Sequence, residues 1–203
     1  MNRLEEKYRQ RYERFLTPLA QKLEIYLQEC LASNPRIDRI CSRAKGVGRF
    51  MQKAIKEHNG KPKYPDPLNQ IYDQVGARII TFYPSDVPSM AKEVRRYLHP
   101  VENVVHAPEG ESEFGYVGEH FVLLVPSDVL VEIRDTPDVV PFFELQITTL
   151  FQHAWAEAEH DLGYKPSGTL TALQKRKMAF TAAQAWGADQ IFDELFRELQ
   201  SKK

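Results

Sequence analysis

The stretch ELQITTLFQHAWAEAEHDLGYK, residues 144 to 165, joins a strand pattern directly to a helix pattern and decides the fold class. In its first part, apolar residues alternate with Glu144, Gln146 and Thr148, so these three side chains are predicted to share one face of a strand. A carboxylate on a buried strand is costly without a partner. Glu144 is therefore a candidate functional residue.

The second part of the stretch is predicted to be a helix that carries many ionisable groups. His153, Glu157 and His160 are spaced i, i+4 and i+7, which places them on one helix face. A zinc site could use this spacing, but the order is not the H-E-x-x-H arrangement of metalloproteases. We expect instead that Glu157, Glu159 and His160 are partners of nearby basic side chains.

Strand and helix patterns alternate on both sides of this stretch. Strands are predicted at residues 36–44, 74–83, 101–107, 119–126 and 141–149. Helices are predicted at residues 3–32, 45–60, 86–100, 150–162 and 170–199. Pro18 predicts a kink or a break in the first helix, and Asn59-Gly60 predicts the end of the second. Asp86 is predicted to cap the third. This order indicates one α/β domain whose mixed sheet is flanked by helices at both ends.

The composition is that of an ordinary globular protein, with 42% hydrophobic and 27% charged residues in a chain of 203. No apolar run reaches membrane-spanning length, and MNRLEEKYRQRYERF at the start lacks the apolar core of a signal peptide. We therefore expect a cytoplasmic protein with no membrane partner. Cys30 and Cys41 are too few for a disulfide framework or a cysteine-built zinc site.

The charge is distributed unevenly although the net charge is only −1. Residues 1–63 contain 15 Lys and Arg against 7 Asp and Glu, a balance of +8, while the remainder carries −9. A basic first third favours an anionic ligand or partner. For the first 30 residues, the alternative is a solvated helix face.

One helix of this basic third is a candidate phosphate site. Lys45, Arg49 and Lys53 share one face of this helix at spacings i, i+4 and i+8, Lys56 lies close to that face, and Arg43 precedes the helix. Gly46 and Gly48 stand where the helix is predicted to begin, and exposed N–H groups at a helix start favour phosphate oxygens. The alternative is a lysine-rich surface helix.

Two acids beside strands are candidate metal ligands. Asp73 precedes one predicted strand, and Glu144 lies within another. Two such carboxylates can share Mg²⁺, which prefers oxygen ligands and is usually bound together with a polyphosphate. The alternative is that each acid pairs with an arginine such as Arg78.

A tyrosine in a glycine-containing loop is a candidate base-binding residue. Tyr116 lies between Gly115 and Gly118, just before the strand that begins near His120. An exposed tyrosine in such a loop can stack on a nucleobase. The alternative is that its ring covers the core.

Taken in order, several segments form the pattern of a known family. They are SRAKGVGRFMQKAIK, DQVGARIITFYPSD, GYVGEH, ELQITT and HAWAEAEHDLGYK. Over residues 36–166 the chain resembles the synthetase domain of the RelA/SpoT family, the alarmone synthetases. The resemblance implies a nucleotidyltransferase-like domain and transfer of the β,γ-pyrophosphate of ATP to a 3′-hydroxyl, usually of GDP or GTP. It divides the chain into an N-terminal helical segment (1–34), the pyrophosphokinase domain (35–166) and a C-terminal helical segment (167–203).

The resemblance also implies roles for individual residues. Asp73 matches a magnesium-binding aspartate, and Glu144 matches the catalytic glutamate that acts at the metal and near the attacking hydroxyl. The ATP side is implied at Arg43, Lys45, Arg49 and Lys53. The acceptor side is implied at Tyr116, which would stack on the acceptor base, and at His120, Gln146 and Lys165. Transfer of this kind needs mainly positioning and charge neutralisation.

The chain departs from the family pattern on the acceptor side. Gly118 stands where the family has a serine, and Thr148 stands where it has an arginine. The loop before the tyrosine is acidic, with Glu109, Glu111 and Glu113. These departures leave three alternatives open: a (p)ppGpp synthetase, a toxin-like enzyme acting on the tRNA 3′ end or on adenine nucleotides, and a degenerate nucleotide-binding module. Small relatives also make a homo-oligomer or an antitoxin partner conceivable.

Overall fold

A five-stranded mixed sheet forms the centre of the molecule, in a computed structural model that describes residues 3–130, 141–163 and 170–202. Its strands are β1 (Ile37–Ala44), β4 (Val75–Thr81), β5 (Pro100–His106), β6 (Gly118–Leu124) and β7 (Phe142–Thr149). Strands β2 (Glu57–His58) and β3 (Lys61–Pro62) form a separate two-stranded sheet. The order in the sheet is β1-β4-β7-β6-β5, with β4 and β7 parallel and all other neighbours antiparallel. The predicted α/β fold with a mixed sheet is confirmed.

The helices surround this sheet. They are α1 (Arg3–Arg11), α2 (Thr17–Cys30), α3 (Val47–Ala54), α4 (Pro67–Gln70), α5 (Asp86–Tyr97), α6 (Ser127–Leu130), α7 (Leu150–Gly163) and α8 (Ala172–Gln200). A π-helical segment, Tyr12–Leu16, joins α1 to α2 just before Pro18. The chain therefore stays helical past Pro18, because the wider turn relieves the contact between the ring and the preceding carbonyls. Within the described residues, no helix is both long and apolar enough to cross a membrane.

The Asn59-Gly60 pair does not end a helix, contrary to the prediction. Helix α3 already ends at Ala54, and the pair forms the turn between β2 and β3. Asn59 has a φ of 51° and Gly60 a φ of 72°. Positive φ at both central residues is what a type I′ hairpin turn requires, and Asn-Gly favours it.

Asp86 does not cap α5, again contrary to the prediction. It is the first residue of the helix, and its carboxylate accepts two hydrogen bonds from Arg36, at 2.9 and 3.0 Å. The same carboxylate accepts a bond from the backbone N–H of Tyr83 at 2.9 Å. Asp86 therefore fastens the start of β1 to the start of α5.

The two faces of the sheet differ in chemistry. On one face, apolar residues of the central strands pack against α2 and α5 in a single buried cluster that includes Leu23, Ile79, Met90, Leu145 and Ile147. The opposite face carries Arg78, Glu144 and Gln146, and α7 lies near it. Because alternate residues of a strand point to opposite faces, the same strands form both the core and the polar surface.

The basic N-terminal helix supports the polar face from one side. The hydroxyl of Tyr8 donates to the carbonyl of Lys45 at 2.7 Å, and its ring stacks on Phe50 with centroids 3.6 Å apart. Arg11 donates to the carbonyl of Leu68 and to the side chain of Gln74. Part of the positive charge of α1 therefore points inward.

The C-terminal helix is attached through two buried acids. Thr149 donates its hydroxyl to Asp189 at 2.7 Å, and Ser85 donates to Asp193. Burial raises the pKa of Asp189 to about 6. Helix α8 is thereby joined both to the end of β7 and to the segment before α5.

Candidate active site

A cleft of about 1070 Å³ opens on the polar face of the sheet, between β1, β4, β7, α3 and α7. Its basic, acidic and histidine lining residues are Arg43, Lys45, Arg49, Lys53, Lys56, Asp73, Arg78, Glu144, His153, Glu157 and His160. The four cations predicted for the ATP side and both predicted carboxylates therefore line one cavity. Lys165 lies outside the described residues, as does the predicted domain boundary at 166.

Arg43, Lys45, Arg49 and Lys53 form the cationic wall of the cleft, where β1 passes into α3. The backbone N–H of Lys45 donates to the carbonyl of Gln74 at 2.8 Å, which ties the end of β1 to the segment before β4. Gly46 then precedes the first residue of α3. The ring of Phe50 is buried on the other side of α3. This packing turns Arg49 and Lys53 of α3 into the cleft, beside Lys45, which lies between β1 and α3.

Asp73 is held between two of these cations. Its Oδ2 lies 2.9 Å from Nζ of Lys45 and 2.8 Å from Nζ of Lys53. Burial by itself raises the pKa of this carboxyl, but the two ammonium groups outweigh burial, and the pKa lies below its ordinary value. Its Oδ1 is buried and has no hydrogen-bond partner among the described residues. Asp73 is therefore ionised and has one oxygen available.

Glu144 lies at the same end of the sheet, on the neighbouring strand. Its Oε2 accepts a hydrogen bond from Gln146 at 2.9 Å, and its Oε1 is 3.4 Å from Nδ1 of His120. Burial raises the pKa of Glu144, but His120 and Gln146 lower it to a value below the ordinary one. The charge of Asp73 opposes this ionisation, so the two carboxylates are close enough to interact.

Arg78 connects the strand to α7 and pairs with neither of the two acids. Its Nε and Nη2 donate to Oε1 of Gln146 at 3.1 and 2.9 Å. Its Nη1 donates to Glu157 at 2.8 Å and to Nδ1 of His153 at 2.6 Å. The alternative in which Arg78 neutralises Asp73 or Glu144 is thus wrong in the part of the chain that the structure describes. Arg78 instead orients Gln146, which in turn binds Glu144.

Ionisable side chains on one face of α7 contact the cations Arg78 and Arg43. Glu157 binds Arg78 and lies 3.8 Å from Arg43, as expected for a partner of basic side chains. Burial and the charge of Arg78 lower the pKa of His153, which favours the neutral ring that accepts from Arg78. No three His, Cys, Asp or Glu within the described ranges are arranged to hold a metal ion.

Tyr116 is half-buried rather than exposed. Its hydroxyl lies 3.1 Å from Nε2 of His120, and burial raises its pKa. The ring borders a second cavity of about 530 Å³, which the loop before β6 and Ala179 of α8 line. Glu113 is also part of this lining. Tyr116 thus stands between the second cavity and the His120–Glu144 pair.

The sequence pattern predicts no functional role for Arg78 beyond that of a partner that neutralises an acid. The structure places Arg78 on the polar face of the sheet. Gly76 pairs with Glu144 and Arg78 pairs with Gln146, so the side chains of Arg78, Glu144 and Gln146 lie on the same face. A cation on that face of a central strand requires an anion or a polar network nearby.

Comparison with known proteins agrees with this geometry. The sequence model of a family described as the region found in RelA/SpoT proteins matches residues 42–169. The GTP pyrophosphokinase YjbM of Bacillus subtilis is 28% identical over 93% of this chain and 90% of its own length. The crystal structure of small alarmone synthetase 1 from Bacillus subtilis is 25% identical, with a TM-score of 0.74 over 95% of this chain and 99% of that one. The structure of that synthetase bound to its product pppGpp has a TM-score of 0.73 at 25% identity, over 94% of this chain and 99% of that one.

Proposed function

Because the chain belongs to the RelA/SpoT family and is a nucleotide pyrophosphokinase, we propose that it transfers the β,γ-pyrophosphate of ATP to the 3′-hydroxyl of GDP or GTP, yielding AMP and a (p)ppGpp alarmone. The observation that carries the proposal is the shared cleft, in which cations of β1 and α3 face the carboxylates of Asp73 and Glu144. A triphosphate is the ligand that this charge pattern fits.

The cationic wall binds ATP in this proposal. Lys45, Arg49 and Lys53 form a row along the cleft, and Arg43 stands at its β1 side. Four positive charges offset most of the charge of the triphosphate. Phosphoryl-type transfer depends largely on such neutralisation and on alignment of the reacting groups.

Glu144 acts on the acceptor hydroxyl. Its lowered pKa keeps the carboxylate ionised at neutral pH, which is the form that can accept a proton. Gln146 and His120 hold its two oxygens in place. A general base in this position typically contributes about 10²–10⁴-fold to the rate.

The donor set fits Mg²⁺. Magnesium is commonly held by one or two carboxylates together with substrate phosphates rather than by a full protein cage. Asp73 offers the unpartnered Oδ1, and Glu144 supplies a second carboxylate on the adjacent strand. When bound, the ion would neutralise charge on the phosphates being transferred.

A second candidate function concerns the acceptor. Tyr116, His120 and Gln146 are proposed to bind it, together with Lys165. The described lining of the second cavity contains Glu113 and neither lysine nor arginine. This observation favours an acceptor with less 5′ charge than GDP, such as the 3′ end of an RNA, because a carboxylate repels a diphosphate. Adenine nucleotides, a homo-oligomer and an antitoxin partner stay predictions.

Product analysis with a panel of acceptors tests the proposal. The purified protein is incubated with ATP, Mg²⁺ and, separately, GDP, GTP, ADP, ATP and total tRNA. We expect AMP together with a 3′-pyrophosphorylated guanine nucleotide. Label on tRNA alone would favour the second candidate, and nucleotide binding without AMP release would indicate a degenerate module.

Two variants locate the chemistry in the cleft. Asp73→Asn and Glu144→Gln should each abolish AMP release, whereas Glu102→Gln, at an exposed position of β5, should leave it unchanged. Full turnover in both cleft variants would refute the assigned roles.

A further inference from the structure

The orientation of Tyr116 depends on the absence of a side chain at residue 118. A Cβ built on Gly118 would lie 2.3 Å from the hydroxyl oxygen of Tyr116 and 2.7 Å from its Cζ. Real Cβ atoms essentially never approach other atoms so closely. The φ of Gly118 is not in the left-handed region, so the backbone itself would accept another residue. The Tyr116 ring occupies the space that a side chain at residue 118 would fill. The backbone flexibility of glycine is not needed at this position.

A second small residue lies across the strands from Gly118. Glu119 pairs with Ile147 in the antiparallel β6–β7 ladder, so Gly118 and Thr148 are the next positions along it. The hydroxyl of Thr148 donates at 3.3 Å to the carbonyl of Val117, the residue that follows Tyr116. A long side chain at residue 148 would compete for this space.

Tyr116 is connected through His120 to Glu144, the proposed catalytic residue. The Tyr116 hydroxyl is 3.1 Å from Nε2 of His120, and Nδ1 of the same ring is 3.4 Å from Glu144. The backbone after the tyrosine is fixed as well, because the N–H of Val117 donates to Gln152 at 3.1 Å. Gln152 is buried on α7. The tyrosine is therefore held at its hydroxyl and at its backbone.

We propose that Gly118 and Thr148 are positioning residues that form a seat for Tyr116, and that this seat fixes the ring relative to Glu144 and so positions the acceptor. The inference rests on the proposed function, in which Tyr116 contacts the acceptor and Glu144 acts on its hydroxyl. The two small residues act through the tyrosine. They are the two positions at which the acceptor-side motifs differ from the family pattern, and they lie opposite each other on β6 and β7.

A double-mutant cycle tests the seat. Gly118→Ser in the otherwise unchanged chain should raise the acceptor KM about tenfold, a coupling of the size seen for side chains in contact. Affinity for a non-hydrolysable ATP analogue, measured by calorimetry, should change less than about twofold, since the donor cleft is not involved. In the Tyr116→Ala background, Gly118→Ser should have no further effect on the acceptor.

Matched variants separate the seat from a loss of folding. Gly118→Ala adds only the clashing Cβ, and Thr148→Ser keeps the hydroxyl that Thr148→Val removes. Gly118→Ala should reproduce the effect of Gly118→Ser, and Thr148→Ser should retain more acceptor affinity than Thr148→Val. Circular dichroism and the midpoint of thermal unfolding should show that all variants are folded.

The outcomes distinguish the seat from the enzyme proposal. Product formation with equal effects of Gly118→Ser in both backgrounds would overturn the seat and leave the enzyme proposal standing. If no acceptor yields product, the enzyme proposal fails, and the seat is then judged by acceptor binding alone. A calorimetric loss of GDP binding in Gly118→Ser that vanishes in the Tyr116→Ala background would support it, and no such loss would overturn it.

Discussion

Gly76 of β4 lies beside Glu144 of β7 in the parallel register of the two central strands. Asp73 is three residues before Gly76, so the chain reaches Asp73 at the same end of the sheet at which Glu144 points into the cleft. The meeting of the two acids therefore follows from strand register alone. Lys53 of α3 and Lys45, which lies between β1 and α3, then reach Asp73 from the opposite wall.

Loss of either lysine should weaken ATP binding and disturb Asp73. Lys53→Met leaves Lys45 as the remaining cation on the carboxylate, so the pKa of Asp73 should rise toward its ordinary value. We expect a loss of affinity for a non-hydrolysable ATP analogue of about tenfold, typical of one charge-assisted hydrogen bond. Calorimetry in the presence of Mg²⁺ measures it. Lys92→Met, at an exposed position of α5, is the matched control and should bind the analogue normally.

Asp189 should make the stability of the protein depend on pH in an unusual direction. Burial raises its pKa from an ordinary 3.8 to about 6, so in this interval the folded chain holds a proton that the unfolded chain has released. The free energy of unfolding should therefore fall as the pH rises from about 4 to about 6. Asp189→Asn removes this dependence, and the neighbouring acid Asp193 is present in both proteins.

Denaturant unfolding at several pH values measures this effect. Relative to the wild type, the Asp189→Asn variant should gain up to about 3 kcal/mol between pH 4 and pH 7, since one pKa unit corresponds to about 1.4 kcal/mol. Asp161→Asn, on the exposed side of α7, should show no such gain. Parallel curves for the wild type and Asp189→Asn would contradict the prediction.

The central strands and the composition of the cleft could be predicted from the sequence because both depend on local patterns. Alternation places Glu144 and Gln146 on one strand face, and helical spacing places Arg49 and Lys53 on one helix face. The same spacing assigns Lys45 to that helix, but in the structure Lys45 lies just before α3. The structure brings both faces to one cavity. Neither inference needed contacts between distant residues.

The errors arose where one local signal allows two structures or where the partner is distant. Asn59-Gly60 can end a helix or turn a hairpin, and only the pairing of β2 with β3 decides between them. Asp86 has the side chain of a helix cap, but its carboxylate is bound by Arg36, 50 residues away. The orientation of Tyr116 depends on an absent side chain, which no periodicity reveals.

The acidic loop should discriminate against acceptors with 5′ phosphates. Glu113 lines the second cavity, and its carboxylate accepts from the N–H of Gly110 at 3.4 Å. Glu113→Lys should lower the KM for GDP relative to that for guanosine, because it replaces repulsion of a diphosphate by attraction. The advantage should shrink as salt is raised, since the Debye length falls from about 10 Å at 0.1 M to about 3 Å at 1 M.

Steady-state kinetics with both acceptors at two salt concentrations measures the loop effect. Glu13→Lys makes the same charge change at an exposed position of the N-terminal helical segment, and it controls for net charge. An equal response of GDP and guanosine would mean that the acceptor phosphates do not lie near Glu113.

Arg78→Lys should damage catalysis more than binding. Arg78 donates to Gln146, His153 and Glu157 at once, and a lysine cannot reproduce this planar set of donors although it keeps the charge. Gln146 would then lose the contact that orients its amide toward Glu144. We expect kcat to fall about 10- to 100-fold, corresponding to about 1.4–2.7 kcal/mol, while the ATP KM changes little. Glu157→Gln, which leaves the Gln146 contact intact, should cost less than Arg78→Lys in the same assay. A larger loss in Glu157→Gln would show that Arg78 acts through α7 and not through Gln146, the strand residue beside the proposed catalytic carboxylate.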